Sequence, residues 1–159
     1  MELRDPEHKV SPRARLSWLA EAVGEVAVLV IALIVASGWW HWFPMPLWAW
    51  IVVAAGGVGY ALAMPRIRYA VHRWETTSSA VYTQSGWISR ERRIAPLSRV
   101  QTIDFEQGPL SRILRLASVR VTTASAAGPV RIKGLDQDVA ERIVAELTAR
   151  TAATTGDAT

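Results

Sequence analysis

VAVLVIALIVASGWWHWFPMPLWAWIVVAAGGVGYALAMP, residues 26–65, is a run of 40 amino acids without one Asp, Glu, Lys or Arg. No small soluble core can bury so long a charge-free run, and a hairpin of two membrane-crossing helices is the direct reading. The first span is set at about residues 23–42 and the second at about 47–64, inside a hairpin of residues 22–65. At 1.5 Å per residue the second covers about 27 Å, close to the roughly 30 Å of a hydrocarbon core. Trp39, Trp40, Trp42, Trp48 and Trp50 gather around the connection, where the headgroup region favours amphipathic aromatic rings, and Pro44 and Pro46 break the helix there.

Orientation is read from basic residues. Lys9, Arg13 and Arg15 precede the first span, Arg66, Arg68 and Arg73 follow the second, and the connection has none. The positive-inside rule predicts both termini in the cytoplasm and a Trp-rich loop outside. A cleaved signal peptide fits poorly, because the segment before the apolar run is long and contains acids and a second span follows at once. Ala55, Gly59 and Ala63 form a stripe of small residues on the second span, and packing of the hairpin on itself is the first use expected for it.

Outward from the hairpin, residues 1–21 form an N-terminal segment, residues 66–150 a soluble domain, and residues 151–159 a tail without large apolar side chains that is expected to be disordered. The domain reads as short strands. Ile67 to Glu75, Ala80 to Gln84, Trp87 to Ala95, Val100 to Glu106, Ala117 to Thr123 and Val130 to Lys133 are extended runs punctuated by Ser85-Gly86, Pro96 and Gly128-Pro129. Val139, Ala140, Ile143, Val144 and Leu147 then recur at helical spacing, with Asp136 as the expected N-cap. Antiparallel strands closed by one amphipathic helix are the predicted architecture.

Chemistry is sparse. The chain has no cysteine, its three histidines (His8, His41, His72) lie in different segments, and its glycine clusters fall inside the hairpin, so metal, thiol, phosphate-loop and dinucleotide chemistry are not indicated. Asp104 and Glu106 can share a strand face, and a solvated face or pairing with nearby Arg99 and Arg112 accounts for them better than a hydrolytic dyad does. No cofactor, nucleic-acid partner or small-molecule substrate is expected, and the chain reads as non-enzymatic. Residues 66–150 carry 14 Arg and Lys against eight Asp and Glu, a balance of +6 that draws the domain toward anionic membrane lipids.

The segment RVQTIDFEQGPLSRILRLASVRVTTA (99–124) departs from ordinary sheet sequence. Gln107, Gly108, Pro109 and Leu110 break a strand, and Ser111 to Arg115 can form one helical turn. Gly108, Pro109 and Leu110 are read as a structural motif, Gly108 for a backbone geometry that Ala would resist. Arg99, Gln101, Asp104, Gln107 and Arg112 form the candidate interaction surface.

This segment, with Tyr82, Ser85, Gly86 and Pro96 before it and Ile132, Gly134 and Leu135 after it, resembles bacterial pleckstrin-homology-like (PH-like) membrane proteins of the YdbS type. The resemblance implies a two-helix anchor in the bacterial cytoplasmic membrane, a curved, partly open seven-stranded barrel and a C-terminal capping helix. It implies no catalytic residues. It also marks two departures, since a glycine is expected where Arg115 and Ser125 stand, which points to altered turns. The function expected is a membrane-anchored interaction module with a protein partner, self-association included; recognition of anionic lipid headgroups, or service as an accessory subunit of an envelope or transport complex, are the alternatives. Arg90, Arg92, Arg131 and Lys133 are the candidate lipid-facing residues, spread over strands with no sign that they converge.

Overall fold

The computed structural model describes residues 5–39, 45–124 and 128–156. Trp40, His41, Trp42 and Pro44 of the predicted outer loop, Ser125, and residues 157–159 lie outside these. The chain divides into two compact units, residues 15–67 and a β-domain that joins the N-terminal residues up to Ala14 with Arg68 onward.

The hairpin consists of α1 (Ala14–Ile34), continued by a π-helical turn over Val35–Trp39, and α2 (Leu47–Val71). Each apolar helix reaches 25 residues, long enough to cross a membrane. Both outrun the spans read from sequence. α1 begins nine residues before Val23, and α2 continues through Pro65, where a strand had been expected from Ile67. Beyond the proline the helix runs on to Val71: the Arg66 guanidinium donates to the Leu62 carbonyl at 2.6 Å, and His72 N–H closes on the Arg68 carbonyl at 2.9 Å. Only Arg73–Thr76 is then left to form a strand.

Within the hairpin the helices meet at Gly57, where an added Cβ would stand 2.8 Å from a Val26 methyl carbon, so only glycine fits without a shift. One turn on, the Tyr60 hydroxyl donates to the Glu25 carboxylate at 2.6 Å. The stripe of Ala55, Gly59 and Ala63 lies on exposed surface instead, which corrects its expected use inside the hairpin.

The β-domain contains two antiparallel sheets. One has the order β1 (His8–Lys9), β2 (Arg73–Thr76), β3 (Ala80–Gly86), β4 (Arg90–Pro96), and the other β5 (Val100–Glu106), β6 (Leu116–Thr123), β7 (Val130–Asp136). A 3-10 turn at Leu97–Arg99 carries the chain between sheets, and α3 (Pro109–Ile113) between β5 and β6. The sheets remain open rather than curling into one closed barrel. Val81, Val119, Val121, Ile132 and Leu135 from both sheets form the core with Leu97 of the 3-10 turn, and α4 (Gln137–Gly156) closes it with Ala140, Ile143 and Leu147 at i, i+3 and i+7. Truncating fully buried Leu147 to Ala would cost about 2–5 kcal/mol.

Two boundaries move. α4 runs to Gly156, through residues expected to be disordered. Ala149, Arg150, Ala152 and Ala153 favour helix, Arg150 anchors it by donating to the Thr77 carbonyl at 2.8 Å, and the Thr148 and Thr151 hydroxyls back-bond to the carbonyls four residues earlier. The N-terminal segment, set apart by sequence, is sewn into the β-domain. His8 pairs with Trp74, their rings 5.0 Å apart; Ser11 N–H donates to Gly134 at 2.8 Å; and Ser11 Oγ donates to Asp136 at 2.8 Å, just before α4 begins. Six strands therefore follow the hairpin among the described residues, and the segment before it supplies the seventh.

Candidate functional site

A groove of about 380 Å³ lies between β5 and the last turns of α4, lined by Val100, Gln101, Ile103, Thr148, Thr151 and Ala152. It exists because β5 is an edge. β6 pairs with one side of β5, and among the described residues no strand pairs with the other. The register shift between Val100 and Thr102 falls at Gln101, where a bulge twists the strand and leaves that side chain exposed on the groove. Thr148, Thr151 and Ala152 of α4 supply the facing wall.

The predicted surface residues divide. Arg99 is exposed at the entry to β5, where its carbonyl accepts from Ala124 N–H at 3.1 Å. Asp104 is exposed opposite Arg120, in line with the solvated face expected, while the Arg120 guanidinium pairs with Glu106 as a diagonal cross-strand neighbour in place of Arg99 or Arg112. Gln107 turns inward and donates to the Leu116 carbonyl at 2.8 Å and to Gln137 at 3.2 Å, tying the junction to the start of α4. Arg112 is exposed on α3. Of the five, Gln101 alone lines the groove. Sequence reasoning placed Val100 and Ile103 in an extended run without marking them as groove walls, and missed exposed Phe105, Leu110 and Ile113, the last 79% accessible.

The structural motif behaves differently from its reading. Gly108 is the N-cap residue of α3 at φ −76°, ψ 171°, a geometry open to any residue, and an added Cβ meets nothing within 4 Å. Pro109 starts the helix at a position that needs no N–H, and Leu110 is partly exposed. The left-handed residue is Arg115, at φ +53°. The turn where glycine was expected is thus kept, with an arginine in it.

On the opposite side of the same sheet, beside β7, a second cleft of about 430 Å³ gathers Arg68, Arg73, Arg93, Arg131 and Lys133. Its single carboxylate, Glu91, accepts from Arg93 at 2.7 Å. Arg131 and Lys133 converge here, contrary to the sequence reading that left them scattered; Arg90 is exposed near the hairpin tip, and Arg92 pairs with Asp5 and donates to Gln84 at 2.9 Å. Buried His72 also lines the cleft. Its Nδ1 lies 2.8 Å from the Arg68 carbonyl, which can only accept, so that nitrogen carries the proton. Burial, aided by the charges of Arg68 and Lys133, lowers its pKa to about 4, and the ring is neutral at pH 7. Asp104 is not part of this cleft.

A further hollow, about 790 Å³, carries mixed charge, lined by Arg13, Arg115 and Arg142 together with Asp136 and Asp138. Among the described residues no three His, Cys, Asp or Glu side chains gather as a metal site.

The family described as bacterial PH domain matches residues 14–151. The UPF0699 transmembrane protein YdbS of Bacillus subtilis (strain 168) is 32% identical over 145 residues, covering 87% of this chain and 88% of the relative. No solved structure matches. With two membrane-length helices ahead of an open PH-like β-domain capped by a helix, the chain belongs to the bacterial PH domain family, as a membrane-associated protein of the YdbS type.

Proposed function

We propose that the protein is a non-enzymatic anchor that holds its PH-like domain at the cytoplasmic face of the membrane and captures an extended segment of a partner protein along β5. The observation that carries this reading is the groove itself. An unpaired strand edge offers backbone donors and acceptors to an added strand, and pockets alongside it select alternate side chains. Here Val100, Ile103 and the Thr148–Ala152 face supply those pockets. The basic flanks of both spans support the cytoplasmic orientation.

Photo-crosslinking of the full chain in bacterial membranes tests the proposal. Benzoylphenylalanine at Gln101 should give a discrete protein adduct, identified by mass spectrometry as a partner or a second copy. Thr148→Arg, an exposed change that fills the groove, should abolish it. An adduct that survives Thr148→Arg, or that forms equally from position 142 on the outer face of α4, would overturn the groove assignment.

A further inference from the structure

The basic cleft beside β7 has a feature that simple electrostatic attraction does not require. The β3–β4 hairpin forms part of its rim, and its tip presents Trp87, 39% accessible, and Ile88, 81% accessible. Gly86, at φ +127°, makes that tight tip possible, since a Cβ there would lie 1.8 Å from the Ser89 carbonyl oxygen. Trp beside an exposed aliphatic residue suits the boundary between headgroups and acyl chains. Arg68 lines the same cleft and follows the charge-free run, which ends at Pro65, by three residues on one helix, about 5 Å along its axis. Arg68 therefore ties the cleft to the same helix that carries the charge-free run.

We propose that this cleft is a phosphate-binding site for the headgroup of an anionic phospholipid in the leaflet on the domain's side, with Trp87 and Ile88 inserted beside it. Arg73, Arg131 and Lys133 have no carboxylate partner among the described residues, so they supply the cationic contacts. Arg93 neutralises Glu91. The ligand chemistry is a phosphodiester or phosphomonoester oxygen. A soluble phosphate could satisfy the arginines, but it would leave the apolar tip in water, and this difference favours the lipid. The site lies at the edge of the three-stranded sheet opposite the β5 groove and does not depend on it.

The chain has no cysteine, so Ile88→Cys carries one environment-sensitive fluorophore in the full-length protein. In nanodiscs at about 0.15 M salt, raising the fraction of phosphatidylglycerol in phosphatidylcholine should shift the emission to the blue. Arg131→Gln or Lys133→Gln should each weaken this docking about fivefold, Lys133→Arg should retain it, and Arg142→Gln on α4 should change it less than either. Millimolar inorganic phosphate should not reverse the shift. Emission independent of lipid charge, or equal losses with Arg142→Gln and Lys133→Gln, would overturn the site. Reversal by inorganic phosphate would assign the cleft to a soluble anion and overturn the lipid.

Discussion

The backbone N–H of Gln137, the first residue of α4, donates to the carbonyl of Arg115 at 3.0 Å, and Arg115 is the residue held in left-handed backbone geometry. The capping helix is thereby registered on the turn that leaves α3. An L side chain at φ +53° is strained, while glycine is not but gives up more freedom on folding. Arg115→Gly is expected to stabilise the protein by about 0.5–1 kcal/mol, read as a higher Tm of the full chain in detergent. A lower Tm would mean that the arginine side chain contributes more than the backbone strain costs.

Glycines 86 and 108 make a matched pair for the same assay. Gly86→Ala meets both a positive φ and the Ser89 carbonyl, so it should cost at least about 2 kcal/mol. Gly108→Ala enters open space from an ordinary extended conformation and should stay within about 0.5 kcal/mol of the wild type.

The N-terminal segment carries its own test. Ser11 is buried and bonds through its backbone to Gly134 and through its hydroxyl to Asp136. Ser11→Ala should lower stability by about 1 kcal/mol. Removing residues 5–12 should lower it further, because β1 and its contact with Trp74 go as well. Equal melting of the truncated and intact chains would separate the segment from the fold.

How much of this was legible follows from the range of each interaction. The hairpin was plain in hydropathy, because one charge-free run decides it locally. Strand periodicity located β3, β5 and β6, and the Ala140, Ile143, Leu147 spacing located α4. The two residues of β1 have no apolar pattern, and their partners lie more than 60 positions away, so nothing local announces the strand. The second cleft was hidden for the same reason. Arg68, Arg93 and Lys133 come from three separate elements, and only the packing of β7 near the β3–β4 hairpin brings them together. Helix α2 outran its prediction because Pro65 and the alternation at Ile67, Tyr69 and Val71 imitate a break followed by a strand.

His72 links the cleft to pH. With its pKa lowered from 6.5 to about 4 in the fold, the unfolded chain binds a proton between those values that the folded chain does not. Stability should therefore fall as pH drops through this window, by up to about 3 kcal/mol, and the His72 contribution should be level above pH 6.5. Tm against pH for wild type and His72→Gln checks this, with the variant losing that part of the slope.

The most direct test of a domain held at the cytoplasmic face is topology in the cell. Single cysteines at His41, in the outer loop expected from sequence, and at Ser98, exposed before β5, are treated with a membrane-impermeant maleimide in intact cells. Residue 41 should label at once and residue 98 only after the membrane is opened. Labelling of residue 98 in intact cells with residue 41 protected would put the β-domain outside and contradict the account.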